Sequence, residues 1–267
     1  MADAARPDVR LERKADVLWI WIDREARRNA LNTHVLDGIG AALDAAAADP
    51  TIRALVLTGV GEKAFCAGAD LSQGTANFNA APDEPTTDFG RLARRVRLAG
   101  VPIIARVNGA CVAGGFGLLS LCDLAIAADT ARFGLPEVKV GVFPMQVLVY
   151  LRSMMGARHI AELCLTGELI SAHRAAEMAI INQVVPMAAL DDAVEALILK
   201  LRGASPMAVR RGKQAIFAME MMAFPEALAF AEAQIALISR STDAREGITA
   251  FNEKRKPAWF AEPEDQP

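Results

Sequence analysis

Apolar positions come as short β-branched or aliphatic runs through the first half of the chain and at helical spacing through the second. The runs Val17-Leu-Trp-Ile-Trp-Ile22, 53–58, 103–107 and Leu124-Ala-Ile-Ala-Ala128 predict strands. Val35, Leu36, Ile39, Ala42 and Leu43 recur as on one helix face, with Asn32 or Thr33 as cap and Asp49-Pro50 as stop. After Glu137 helices dominate, at 145–155, 157–164, 172–178, 189–203, 206–220, 225–239 and 243–255, interrupted by Gly156, Gly167, Ser205-Pro206 and Pro225. Only Asn182-Gln-Val-Val185 competes as a strand. Residues 1–10 read as a disordered lead and 72–86, rich in Gly, Asn and Pro, as a long mobile loop. A strand at 103–107, a helix at 112–122 and a strand at 124–128 imply βαβ units and a mostly parallel sheet, so the fold class is α/β.

The chain is organised around Ala105-Arg-Val-Asn-Gly-Ala-Cys-Val-Ala-Gly-Gly-Phe-Gly-Leu-Leu-Ser-Leu-Cys-Asp123, where a strand ends at Asn108-Gly109 and glycines open a buried helix. Glycines 114, 115 and 117 let unpaired amides of the first helical turn approach a ligand, where the helix dipole favours an anion or oxyanion. A dinucleotide site would need a third glycine where Ser120 stands, and lacks an acidic ribose partner. Close helix packing explains the glycines equally well. A second amide-rich turn, Lys63-Ala-Phe-Cys-Ala-Gly-Ala-Asp-Leu71, follows another strand and makes an oxyanion hole plausible. Asp70 is open to a catalytic reading, but Asp70-Leu-Ser-Gln73 also fits a helix cap, the preferred reading. Glu137, in Gly134-Leu-Pro-Glu-Val138, falls in irregular backbone near the core, where a carboxylate is costly unless used or paired.

Composition narrows the classes. The 267 residues are 53% hydrophobic with net charge −3, enough for a sizeable core and contrary to a nucleic-acid binder. Arg91, Arg94, Arg95 and Arg97 share a predicted helix, where a solvated face is favoured over contact with a phosphate. Cys66, Cys111, Cys122 and Cys164 lack metal or redox spacing and read as reduced core thiols, and no metal is expected. His34, His159 and His173 are scattered on helices as surface or capping groups. A polar start without an apolar leader core, and no run of about 18 apolar residues, predict a cytoplasmic chain without membrane association.

With both amide turns in view, the chain resembles the crotonase family, also called the enoyl-CoA hydratase/isomerase family, from about residue 11 to 260. Asn29-Ala-Leu-Asn32, Gly134-Leu-Pro-Glu-Val138 and Phe251-Asn-Glu-Lys-Arg255 stand in the family's order. The resemblance implies a ββα spiral core at 11–200 and a C-terminal helical oligomerisation layer at 201–267 that builds a homotrimer or dimer of trimers. It also implies that an acyl-CoA thioester is the substrate, with coenzyme A entering as part of it and no separate cofactor. The thioester oxygen would rest on the amides of Ala69 and Gly114, with Glu137 as acid/base on the acyl chain. Arg28, Ala30, Ala67, Asp70, Leu71, Gly115, Gly117 and Pro136 would line the substrate, Arg28 reading equally as surface charge. Phe251 and Lys254 would reach a CoA site, often across a subunit boundary.

One departure bears on the reaction. Two-carboxylate hydratases carry a second glutamate where this chain has Gly117, and Phe143-Pro-Met-Gln-Val147 replaces the family's Pro-Gly-Ala-Gly-Gly. Hydration is easiest with two carboxylates, whereas moving a double bond needs one base that takes a proton and returns it elsewhere. Isomerisation is therefore slightly favoured. One-glutamate hydration, thioester hydrolysis and non-catalytic acyl-CoA binding remain open, and Asp83, Glu84 or Asp88 could supply an acid from the loop. A side chain at 117 is expected to project between the oxyanion amides and Glu137.

Overall fold

The computed structural model describes residues 7–72, 74 and 86–260. Its strands are β1 (Val9–Lys14), β2 (Val17–Ile22), β3 (Ala54–Gly59), β4 (Ala64–Cys66), β5 (Ile103–Val107), β6 (Ala110–Val112), β7 (Leu124–Ala128), β8 (Arg132–Gly134), β9 (Ile170–Ser171) and β10 (Gln183–Val185). The helices are α1 (Thr33–Ala48), α2 (Asp88–Leu98), α3 (Gly114–Ser120), α4 (Met145–Met154), α5 (Ala157–Thr166), α6 (Ala172–Glu177), α7 (Leu190–Arg202), α8 (Pro206–Met219), α9 (Phe224–Ile238) and α10 (Thr242–Glu253). A six-stranded sheet runs β1-β2-β3-β5-β7-β10 and a four-stranded sheet β4-β6-β8-β9. All pairings are parallel except β1 with β2 and β8 with β9. Successive strands β3/β4, β5/β6 and β7/β8 step from the large sheet to the small one before a helix returns, which makes three ββα turns of a spiral.

Two expectations change. The lead does not extend to residue 10, because β1 begins at Val9 and pairs along its length with β2. Its alternation of charged residues hid it: Arg10 lies 4.9 Å over the Trp21 ring and Lys14 4.2 Å over Trp19, so the charged chains cover a stacked tryptophan pair. The helix expected from 112 starts at Gly114, after the three residues of β6, so the units are ββα rather than βαβ. Of the loop expected at 72–86, residues 73 and 75–85 lie outside the described residues, Asp83 and Glu84 among them.

Large apolar side chains fill both faces of the main sheet. All six positions of β3 are buried, as expected when helices cover both faces of a parallel strand. On one face α1, α2 and α3 supply Val35, Leu36, Ile39, Leu92, Val96 and Leu118 to the core. On the other, Leu190, Val194 and Ile198 of α7 pack on Trp19, Val56 and Ile104. Asn32 is the residue that caps α1, accepting from Val35 N at 2.9 Å. Three of the four arginines of α2 are tied: Arg91 pairs with Asp88, Arg95 with Asp44 and Arg97 with Glu220.

The helix after residue 200 is joined to the core by a buried charge. Lys213 of α8 donates to Asp123 Oδ2 at 2.7 Å and Val101 O at 2.8 Å, while the same carboxylate accepts from Ile103 N at 2.7 Å. Removing one member of such a pair strands the other. Lys213→Met should cost about 3–5 kcal/mol in urea unfolding, with part regained by adding Asp123→Asn; a loss below about 1 kcal/mol, the range of an exposed pair, would show that the bridge is not desolvated.

Candidate active site

The site forms where the turn after β4 meets the start of α3. Leu31 forms a lone parallel bridge to Ala69, with Leu31 N donating to Gly68 O at 2.8 Å and Asp70 N to Leu31 O at 2.8 Å. In that pattern Leu31 uses the groups on either side of Ala69, so Ala69's own N–H points away from Leu31. Gly114 begins α3, where backbone N–H groups have no partner within the helix. A Cβ placed on Gly114 would lie 3.5 Å from Ala69 N, so the two amides border one small volume.

This closeness depends on missing side chains and on strain. A Cβ on Gly115 would run into the Cys66 carbonyl, and one on Gly68, at φ 94°, would lie 2.8 Å from Ala113 Cβ. Ala113 carries φ 50° and ψ −125°, a region that costs a residue with a Cβ about 1–3 kcal/mol. Ala113 N donates to Gly134 O at 3.0 Å, which sets the turn beside the strand leading to Glu137.

Two buried asparagines hold the approach to the first turn. Asn29, at φ 56°, donates to Val60 O at 3.0 Å and Ala64 O at 2.7 Å. Asn108 donates to Gly61 O at 2.6 Å and Ala64 O at 3.2 Å and accepts from Gly59 N at 3.2 Å. Arg24, which sequence reasoning missed, bonds the Ala30 carbonyl and meets Asp70 Oδ2 at 2.8 Å and Asp8 Oδ1 at 3.3 Å. Its guanidinium, followed by hydrogen bonds from Ser72, holds the Asp70 carboxyl well below the usual carboxylate range. Asp70 accepts from Ser72 N at 3.1 Å, a local turn consistent with the capping reading; Gln73 lies outside the described residues. No motif spacing links residues 24 and 70, so only the fold reveals the pair.

Glu137 sits in a 3₁₀ turn opened by Pro136, with Gly141 ending it at φ 81°. Its Oε2 is buried and has no hydrogen-bond partner among the described residues. Burial pushes the Glu137 carboxyl up from its usual value, opposed by a bond to its own backbone. Stability linked to this group is complete below the ordinary glutamate range and is lost as pH rises through the raised value, because the charged form is the one burial disfavours. The neighbouring Cys164 thiol is pushed up to about 11, by burial first and by Glu137 second.

The structure brings Ala67, Ala69, Asp70, Gly114 and Gly115 together around the two turns, and Arg28 joins them through its carbonyl, which accepts from Ala67 N at 3.1 Å. Ala30 is buried beside Arg24, while the side chains of Arg28 and Leu71 are exposed. One expectation needs correction. A Cβ on Gly117 would meet Phe89 Cζ at 2.9 Å and Val147 Cγ2 at 3.0 Å, so a side chain there meets packed apolar groups rather than open space. Phe251 lies in α10 and Lys254 caps its C-terminus, and this helix docks at the other end of the sheet: Asp243 accepts from Ser205 at 2.6 Å, and Arg53, just before β3, donates to Trp259 O at 3.3 Å. Phe251 is 83% exposed, so these residues are not part of the site of their own chain.

A ββα spiral that brings two strand-end amide turns to one small volume, with a half-buried glutamate on the 3₁₀ turn after β8, is the layout of the crotonase fold. The model for the enoyl-CoA hydratase/isomerase family matches residues 12–262, and the chain belongs to that family. It is 34% identical over 251 residues to the 2,3-dehydroadipyl-CoA hydratase of Escherichia coli K12, covering 92% of this chain and 96% of that one. It is 33% identical over 255 residues to the short-chain-enoyl-CoA hydratase of Clostridium acetobutylicum, covering 95% and 97%. The crystal structure of an enoyl-CoA hydratase from Mycobacterium smegmatis superposes with TM-score 0.89 at 32% identity, covering 96% of this chain and all of that one.

The strain at Ala113 is measurable. Ala113→Gly should relieve it, and after about 0.5–1 kcal/mol lost to the freer unfolded glycine should leave a net gain near 1 kcal/mol, read as a melting midpoint higher by about 2–4 °C. A lower midpoint would mean that the Ala113 methyl contributes packing that outweighs the strain.

Proposed function

We propose that the protein moves the double bond of an enoyl-CoA thioester, using Glu137 as the single acid/base and the Ala69 and Gly114 amides to hold the enolate oxygen. In the favoured direction the C2–H bond of a 3-enoyl thioester breaks and its proton passes to the Glu137 carboxylate. The electron pair delocalises onto the thioester oxygen, where two N–H donors offset the developing charge. The proton then returns to C4 as the double bond settles between C2 and C3, and nothing else is consumed. No separate cofactor enters this scheme.

The observation that carries this reading is the buried, unpartnered Glu137 Oε2 together with the absence of a carboxylate at Gly117. A non-catalytic binder would have no use for such a group, whose burial is costly. Hydration through one glutamate is the second reading, and the hydratase names of the Escherichia coli and Clostridium relatives favour it. A panel of 2-enoyl- and 3-enoyl-CoA thioesters separates the two.

Oligomerisation belongs to the same reading. Helix α9 has no buried residue, and Phe224, Leu228, Ile235 and Leu237 stand exposed on it, an apolar surface of the kind that a neighbouring subunit covers. A homotrimer or a dimer of trimers would bury it and could carry Phe251 and Lys254 to a neighbour's CoA.

Glu137→Gln should lower kcat by roughly 10²–10⁴-fold while thioester affinity is kept; unchanged kcat would remove Glu137 from the chemistry. Because the carboxylate form is the base, the acid limb of kcat/KM should lie above the ordinary glutamate range, and a limb at or below that range would contradict the burial of the working group. Sedimentation should show no dominant monomer, and a monomer at micromolar concentration would leave the apolar face of α9 unexplained.

A further inference from the structure

Glu137 Oε2 has no hydrogen-bond partner among the described residues, so the position of this oxygen depends on the backbone that carries it. That backbone lies against a second segment of the chain. β8 and β9 pair antiparallel with Phe133 opposite Ile170, and the approach continues beyond the ladder, where a Cβ on Gly134 would lie 2.8 Å from Glu168 O. Next along, the 3₁₀ turn Pro136–Val140 meets Gly167, the buried residue that ends α5. A Cβ on Gly167 would lie 3.0 Å from Val138 Cγ2, 3.2 Å from Lys139 Cε and 3.2 Å from Pro136 Cα.

The geometry of a 3₁₀ helix gives these contacts a direction. With three residues per turn Pro136 and Lys139 eclipse one another, and Val138 flanks them, so one side of the turn rests on Gly167. Glu137 supplies none of the three nearest atoms and stands about 120° around the axis from Pro136. The tips of Val138 and Lys139 could swing aside from a methyl group at 167, but Pro136 Cα is backbone and would have to carry the turn with it. Cys164, three residues before Gly167 and so on the same face of α5, is buried, and Glu137 is near enough to add to the rise of its thiol. The Lys139–Glu168 ion pair, at 2.7 Å, is exposed and contributes little, so the contact is chiefly steric.

We propose that the C-terminal turn of α5 is the seat of the acid/base residue, with Gly167 a positioning residue whose bare Cα lets the Glu137 backbone settle where the carboxylate reaches the acyl carbons. This rests on the reading of Glu137 as the acid/base. A fixed backbone beneath an unbonded carboxylate oxygen holds the group in place while leaving that oxygen available for proton transfer. Misplacing such a group by about 1 Å costs up to roughly 10²-fold in rate.

A matched pair of variants tests the seat. Gly141 and Gly167 both occupy the left-handed region, at φ 81°, ψ 13° and φ 63°, ψ 19°, but a Cβ on Gly141 meets nothing within 4 Å. Asparagine tolerates that region, so Gly141→Asn and Gly167→Asn impose a like strain and only the second imposes a clash. Gly167→Asn should lower kcat by roughly 10–10²-fold with thioester affinity kept, and Gly141→Asn should stay near wild type. Equal kcat in the two would overturn the proposal. So would a Gly167→Asn loss that persists undiminished in a Glu137→Gln background, because a residue acting through Glu137 has nothing left there to misplace. Where Gly167→Asn does not fold, Val138→Ala withdraws one side of the contact without strain; it should lower kcat several-fold, and wild-type kcat would overturn the seat. If Glu137→Gln itself keeps full kcat, the acid/base reading falls, yet crystal structures of the two asparagine variants still decide the seat. The 136–139 backbone should shift in Gly167→Asn alone, and an unmoved backbone there would overturn it.

Discussion

Everything at this site depends on how closely the backbone after β4 approaches the first turn of α3. The approach is steric: Gly115 rests on the Cys66 carbonyl, where a single methyl would force the turns apart, and Gly68 faces Ala113 with no room to spare. Hydrogen bonding then fixes what sterics permit, through Asn29 and Asn108 on the Ala64 carbonyl and through Leu31 on both sides of Ala69. The strained Ala113 is the cost of aiming the α3 amides at this volume, and it persists because the parallel ladders on either side over-determine the backbone.

Charge is distributed around that volume with equal economy. Asp70, adjacent to Ala69, is committed to Arg24 and so is unsuited to proton transfer. Glu137 has the opposite environment: burial raises its affinity for a proton and no hydrogen bond satisfies its Oε2. The two carboxylates are thus driven to opposite protonation behaviour, Asp70 by an ion pair and Glu137 by desolvation. Of the two, only Glu137 has a carboxylate oxygen left free to accept and return a proton.

Much of this arrangement was legible in the sequence, and what was not has physical reasons. Helices from 145 to 253 followed from apolar spacing punctuated by Gly and Pro, and the long strands from β-branched runs. Strands β6 and β8 are three residues each, too short to display a period, so the ββα step looked like a direct passage from strand to helix. β1 was hidden because its partner strand presents a tryptophan pair that its basic side chains overlay. Glycine spacing disclosed where backbone comes close, but not the direction of a side chain that is absent: at Gly117 that direction depends on Phe89 and Val147, contributed by α2 and α4. A terminal motif likewise does not disclose where its helix docks: α10 is anchored through Asp243 and Trp259, which holds Phe251 and Lys254 at the far end of their own chain.

The central claim is that a thioester oxygen is held jointly by the amides of Ala69 and Gly114 with the acyl carbons beside Glu137. A crystal structure with an unreactive acyl-CoA thioester bound tests it most directly. The account predicts the thioester oxygen within about 2.7–3.1 Å of both nitrogens and Glu137 Oε2 as the carboxylate oxygen nearest to C2. A thioester oxygen bonded to neither amide, or an acyl chain directed away from Glu137, would contradict it.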